Sequence, residues 1–169
     1  KAREILGELP VRAKISVSGN IIKNVKSVVV PNTGGMRGIE NALAAGVAVG
    51  RSDVGLQVLA SIKHEEIPAI EAFRNSCEIE LEHRKTGCIF DIAVTLYSNN
   101  SSAYVHIKDK HTNIVEMRRG DEVLFKNENN EQEVYTDRSC LSVNEIVEFA
   151  DCVNIDDVRE VLDRQINCN

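Results

Sequence analysis

The stretch of this chain best suited to chemistry reads Pro31-Asn32-Thr33-Gly34-Gly35-Met36-Arg37-Gly38. The apolar run ahead of it, residues 25–30, predicts a short buried strand stopped by Pro31. Behind it, Met36, Ile39, Leu43 and Val47 recur at helical spacing up to Gly50. A strand feeding a glycine-rich turn that feeds a helix leaves backbone N–H groups unpaired at the helix start. The helix dipole there favours a carboxylate or a phosphate. Thr33 would offer its hydroxyl at the N-cap, and Gly34 and Gly35 would let the backbone approach a ligand closely. No Gly-Lys-Ser/Thr follows, so this is not a Walker A loop, and the glycines do not fit Gly-x-Gly-x-x-Gly. On residue types alone, a Gly-Gly pair before a helix is most often just a turn.

His111-Thr112-Asn113 is the second candidate, a histidine between two strands that could transfer a proton or hold a carboxylate. His64, His83 and His106 sit among charged neighbours and are given no role. Glu78, Glu80 and Glu82 alternate along one strand as a solvated acidic ladder; a hard-cation site would usually draw ligands from a loop as well. The five cysteines include no Cys-x-x-Cys pair, so neither a zinc site nor a disulfide framework is expected.

Elements able to position these residues follow from period. Val11, Ala13, Ile15 and Val17 alternate with polar residues as a half-buried strand, and residues 18–24 read as a loop or a single helical turn. A second helical stretch covers residues 54–73, interrupted or bent at Pro68. The period then drops to two: Cys77, Ile79 and Leu81, then Phe90, Ile92, Val94 and Leu96, then Ala103, Val105 and Ile107, an antiparallel meander with one wet face. Two shorter strands are expected at 114–117 and 123–125, and a polar loop at 126–138. Ser142-Val143-Asn144-Glu145 is a capping box, and Asn154 caps a last helix carrying Ile155, Val158, Leu162 and Ile166 on one face. The expected fold is α+β, with an antiparallel sheet of about five strands and helices mainly on one face. Residues 1–169 are read as one domain, strand-rich over 11–126 and closed by helices over 142–167.

Bulk composition narrows the function classes. Hydrophobic residues make up 43% and aromatics only 4%, so the core must be aliphatic. A net charge of -6, with no basic block among aromatics, argues against nucleic acid or an anionic membrane as partner. No apolar run approaches the roughly 20 residues that span a bilayer, and no signal peptide is evident, which suggests the cytoplasm. The opening Lys1-Ala2-Arg3-Glu4-Ile5-Leu6 reads as the end of a helix closed by Gly7, as if the chain were cut from a longer protein.

Three blocks carry a resemblance: Ser18-Gly19-Asn20-Ile21-Ile22-Lys23-Asn24, then residues 28–38, then His111-Thr112-Asn113-Ile114-Val115. In order and spacing they resemble the N-terminal section of the L-cysteine desulfidase and L-serine dehydratase α-chain-like iron–sulfur family. That resemblance implies a larger lyase whose [4Fe–4S] cluster acts as a Lewis acid on the leaving group of L-serine or L-cysteine. Elimination yields an aminoacrylate and then pyruvate and ammonia. The family's Leu-Gly-Cys-Thr-Glu-Pro-like cluster motif is missing here, so no ligand is carried onto Cys77, Cys88, Cys140, Cys152 or Cys168. The cluster ligands would lie outside this chain. The segment order also resembles the β-type domain of bacterial serine dehydratases, whose glycine-rich turn carries a histidine where this chain has Gly34-Gly35-Met36-Arg37.

The combined expectation is the substrate-covering domain of such a lyase, inactive by itself. Its candidate substrate-binding residues are Lys23, Asn24, Asn32, Thr33, Gly34, Gly35, His111, Thr112 and Asn113, with no metal ligand among them. Its partners would be a small amino acid and the rest of its own polypeptide, with a homo-oligomer left open. The rival expectations are a regulatory module that binds an amino acid and a scaffold domain without a ligand.

Overall fold

A computed structural model describes residues 1–127, 139 and 141–168, the last two of these as backbone only. The polar segment expected over 126–138 lies almost wholly outside the described residues, as do Cys140 and the side chain of Cys168. The chain forms two compact units, residues 1–129 and residues 130–169.

The first unit is built on a six-stranded sheet in the order β2-β1-β3-β4-β5-β6. Its strands are β1 (Arg12–Val17), β2 (Glu78–His83), β3 (Asp91–Tyr97), β4 (Ser102–Lys108), β5 (Ile114–Arg119) and β6 (Glu122–Lys126). The α+β class holds, with six strands where about five were expected. The sheet is mixed: β3 to β6 form the antiparallel meander, but β2 pairs in parallel with β1, placing Ala13 opposite Ile79 and Ile15 opposite Leu81. Alternation alone cannot tell a parallel neighbour from an antiparallel one. Here the long crossover decides, since parallel pairing needs a connection of a dozen residues or more. That crossover holds α2 (Gly19–Val25), α3 (Ile39–Val49) and α4 (Ile67–Ser76).

Three local expectations change. Residues 25–30 are not a buried strand: Val28 and Val29 are exposed, and the segment contributes only a bridge between Val29 and Arg37. Residues 18–24 wind into α2, whose Ile21, Ile22 and Val25 pack on Ile15, Val17 and Ile39. The helix expected over 54–73 breaks into short 3-10 turns at Gly55–Gln57 and His64–Glu66 before α4 begins. Pro68 therefore sits in the first turn of a helix, where its missing N–H costs no bond, and does not bend one.

Helices α1 (Ala2–Leu6), α3 and α4 cover one face of the sheet. Ala13, Leu96 and Ala103, fully buried on that face, meet Ile5, Ala44, Ala45, Ile70 and Phe73. The small residues let the helices approach closely, which suits a core almost free of aromatics. α1 ends on Gly7 in the left-handed conformation (φ 84°), and the Nε of Arg119 donates to the carbonyl of Ile5 at 2.8 Å, tying α1 to β5.

The opposite face is polar and strongly paired. Glu80 bridges Arg12 (2.9 Å) and Lys14 (3.3 Å), and Glu82 pairs with Lys14 (3.1 Å). At the start of β3, Asp91 is 1% exposed. It accepts from Thr86 Oγ1 (2.7 Å), lies 2.8 Å from His106 Nε2, and forms an ion pair with Arg84 Nε (2.9 Å). Burial pushes its carboxyl up, but these three partners together hold it below the usual aspartate range.

The second unit carries α5 (Val143–Cys152) and α6 (Ile155–Cys168). The capping box forms as expected: the Glu145 N–H donates to Ser142 Oγ (3.3 Å), and the Ser142 N–H donates to Glu145 Oε2 (3.2 Å). Asn154 Oδ1 accepts from the N–H of Asp156 at 3.0 Å.

Candidate functional site

The turn at 32–35 is shaped by backbone chemistry. Asn32 (φ 58°), Gly34 (φ 70°) and Gly35 (φ 97°) all take positive φ, which asparagine tolerates and glycine adopts freely. Two bonds close it: the Val30 N–H donates to the Met36 carbonyl (2.8 Å), and Thr33 Oγ1 donates to the Val30 carbonyl (2.7 Å). Thr33 is 1% exposed and its hydroxyl is spent on this bond. It does not cap α3, whose N-cap is Gly38. The helix-start account of the turn is thereby corrected, because Met36 and Arg37 stand between the turn and that N-cap.

What remains is a turn that exposes two glycines. Among the described residues, Gly34 and Gly35 are exposed and their N–H groups make no hydrogen bond of standard geometry within the chain. Asn32 Nδ2 donates to the carbonyls of Leu59 (3.1 Å) and Ala60 (3.4 Å), anchoring the turn to the segment before α4 and leaving Oδ1 as an acceptor. Asn32 and Gly34 line a pocket of about 190 Å3 with Ile62, His64 and Ile67. His64 is thus a member of the site that residue types did not reveal. Its signal was weak, since Lys63, Glu65 and Glu66 around it made it look like any surface histidine.

The other predicted residues fall elsewhere in the first unit. Lys23 and Asn24 lie in the last turn of α2. The His111 ring packs against Phe90 at a tilt of 42°, with ring centroids 4.3 Å apart, and Asn113 Nδ2 donates to the Lys108 carbonyl (2.9 Å), closing the β4–β5 turn around Thr112. Among the described residues, no hydrogen bond, ion pair or ring contact joins residues 23–24 or 111–113 to residues 32–35. Cys77, Cys88 and Cys152 are free thiols, and burial pushes the Cys77 thiol up. No group of three or more His, Cys, Asp or Glu gathers with metal-binding geometry among the described residues.

Known proteins similar to this one can be set against that geometry. A protein of Desulfitobacterium hafniense is 45% identical over the whole of this chain, one of Finegoldia magna is 39% identical over the whole chain, and one of Treponema denticola is 39% identical over 99% of it. All three are UPF0597 proteins. The chain spans only about 40% of the length of these UPF0597 relatives. No family model and no solved structure matches it.

The resemblance to the L-cysteine desulfidase and L-serine dehydratase family is corrected by this finding. These three relatives carry the UPF0597 name, and none of the three carries a dehydratase one. The physical reason lies in the blocks that suggested it. Asn32, Gly34, Gly35 and Gly38 all take positive φ, so turn geometry by itself demands these residue types.

Proposed function

We propose that this chain is the substrate-binding domain of a larger cytoplasmic enzyme and holds a small amino acid by its carboxylate at the 32–35 turn. The observation that carries the reading is the pair of exposed backbone N–H donors at Gly34 and Gly35 beside a small pocket. Oriented backbone donors suit a carboxylate. Asn32 Oδ1 can accept from the ammonium, and Ile62 and Ile67 give the side chain an apolar wall that limits its size. The reaction in this reading is β-elimination from L-serine or L-cysteine. Its leaving-group chemistry, with any [4Fe–4S] cluster, belongs to the part of the longer polypeptide that this chain does not span. Lys23, Asn24 and residues 111–113 then serve the wider covering surface.

The test is titration of the isotopically labelled protein with L-serine, L-cysteine and L-alanine, read as amide shifts in NMR. Saturable shifts over 32–35 and at His64 are expected. Asn32→Gly tests the side chain while tolerating the positive φ, and should weaken binding about tenfold, the loss of one charge-assisted hydrogen bond. Titration without any shift at the turn sinks the proposal. Binding that leaves turnover of the full-length enzyme unchanged in the Asn32→Gly variant favours the regulatory alternative.

A further inference from the structure

Taken by itself, the second unit carries apolar residues that its own two helices do not bury. On α6, Ile155, Leu162 and Ile166 share one face, 60%, 45% and 72% exposed, and on α5 Ile146 and Phe149 are 53% and 58% exposed. Asp156, Arg159, Glu160 and Asp163 mark the polar side of α6. Both helices are well specified locally, with a complete capping box on α5 and an asparagine cap ahead of α6. Yet they are 10 and 14 residues long, and helices of that length are marginal in water without tertiary packing. A unit of this size has too little core to stand alone.

From this we infer that the α5–α6 apolar face is the docking surface for the part of the full-length polypeptide lying outside this chain. The UPF0597 relatives match all of this chain with about 40% of their own length, which leaves about 60% of each beyond it. A tethered segment meets the face at an effective concentration in the millimolar range, well above that of a free second copy. The tethered segment therefore fills the face first. Its own contribution must be apolar and shaped to take a helix stripe, in the manner of an amphipathic helix lying in a groove.

The test places a photo-crosslinking amino acid at Phe149, and separately at Leu162, in the full-length protein. A third protein carries it at Glu148 as a polar-side control. Irradiation should give intramolecular adducts at the first two positions, mapped by mass spectrometry to peptides outside this chain, and at least tenfold fewer at Glu148. Adducts at double the chain mass would show a second copy on the face and overturn the inference. Adducts confined to residues 1–127, or equal yields at all three positions, would overturn it as well.

Discussion

Two glycines three residues apart, Gly35 and Gly38, differ sharply in what they can tolerate. Gly38 has φ 87° and ψ 177°, a region essentially restricted to glycine, and a Cβ there would stand 2.9 Å from the Lys26 carbonyl oxygen. Gly35 has φ 97° but open space around it. Gly38→Ala should therefore cost about 2–4 kcal/mol and Gly35→Ala about 1 kcal/mol, measured by urea denaturation. Equal losses would mean that the Lys26 carbonyl moves aside. Asp91 has a different signature. Its carboxyl is held below the ordinary value of about 4, so it contributes stability that is fully present above that pH. The contribution is lost as pH falls through the lowered value. Asp91→Asn should destabilise the protein at pH 7 and flatten the acid limb of its stability curve, whereas parallel curves for the two proteins would show that the network adds nothing.

At the scale of elements, the cleanest agreement is the capping box of α5. The spacing of Ser142 and Glu145 predicts it, and each side chain bonds the other's backbone N–H. Ser142→Ala should lower helix stability by about 1 kcal/mol, seen as faster amide exchange in the first turn of α5 and unchanged exchange in β3. The stretch around Pro68 shows where local reading stops. A proline after a helical pattern reads equally as a bend or a start, and only the break at residues 58–63 shows it to be a start. Likewise residues 25–30 have strand composition, but Val28 and Val29 find no sheet neighbour to cover them.

Across the first unit, the burial pattern makes the sheet the main store of stability. Leu96 is fully buried between Ala13 and Ala103, and Leu96→Ala should cost about 2–5 kcal/mol. Leu124 on the edge strand β6 is 47% exposed, and its replacement by alanine should cost less than about 1 kcal/mol. Thermal unfolding of the two variants checks the ranking. Equal effects would contradict the placement of the core on the helix-covered face.

What the sequence determined by itself is what depends on neighbours along the chain. The period-two runs became β1 to β4, the Met36 to Val47 spacing became α3, and Gly7 and Ser142 ended or began helices where expected. Pairing and site assembly needed the tertiary structure, because both join residues far apart in sequence. Only folding sets β2 beside β1 in parallel, with Ala13 opposite Ile79, and only folding brings Leu59, His64 and Ile67 to the 32–35 turn. The Asp91–His106–Arg84 network belongs to the same class: each residue looks like an ordinary surface charge until two strands and a loop gather them round one buried carboxylate. Local codes report φ preference and periodicity. Which surfaces meet is decided by the burial of the whole core at once.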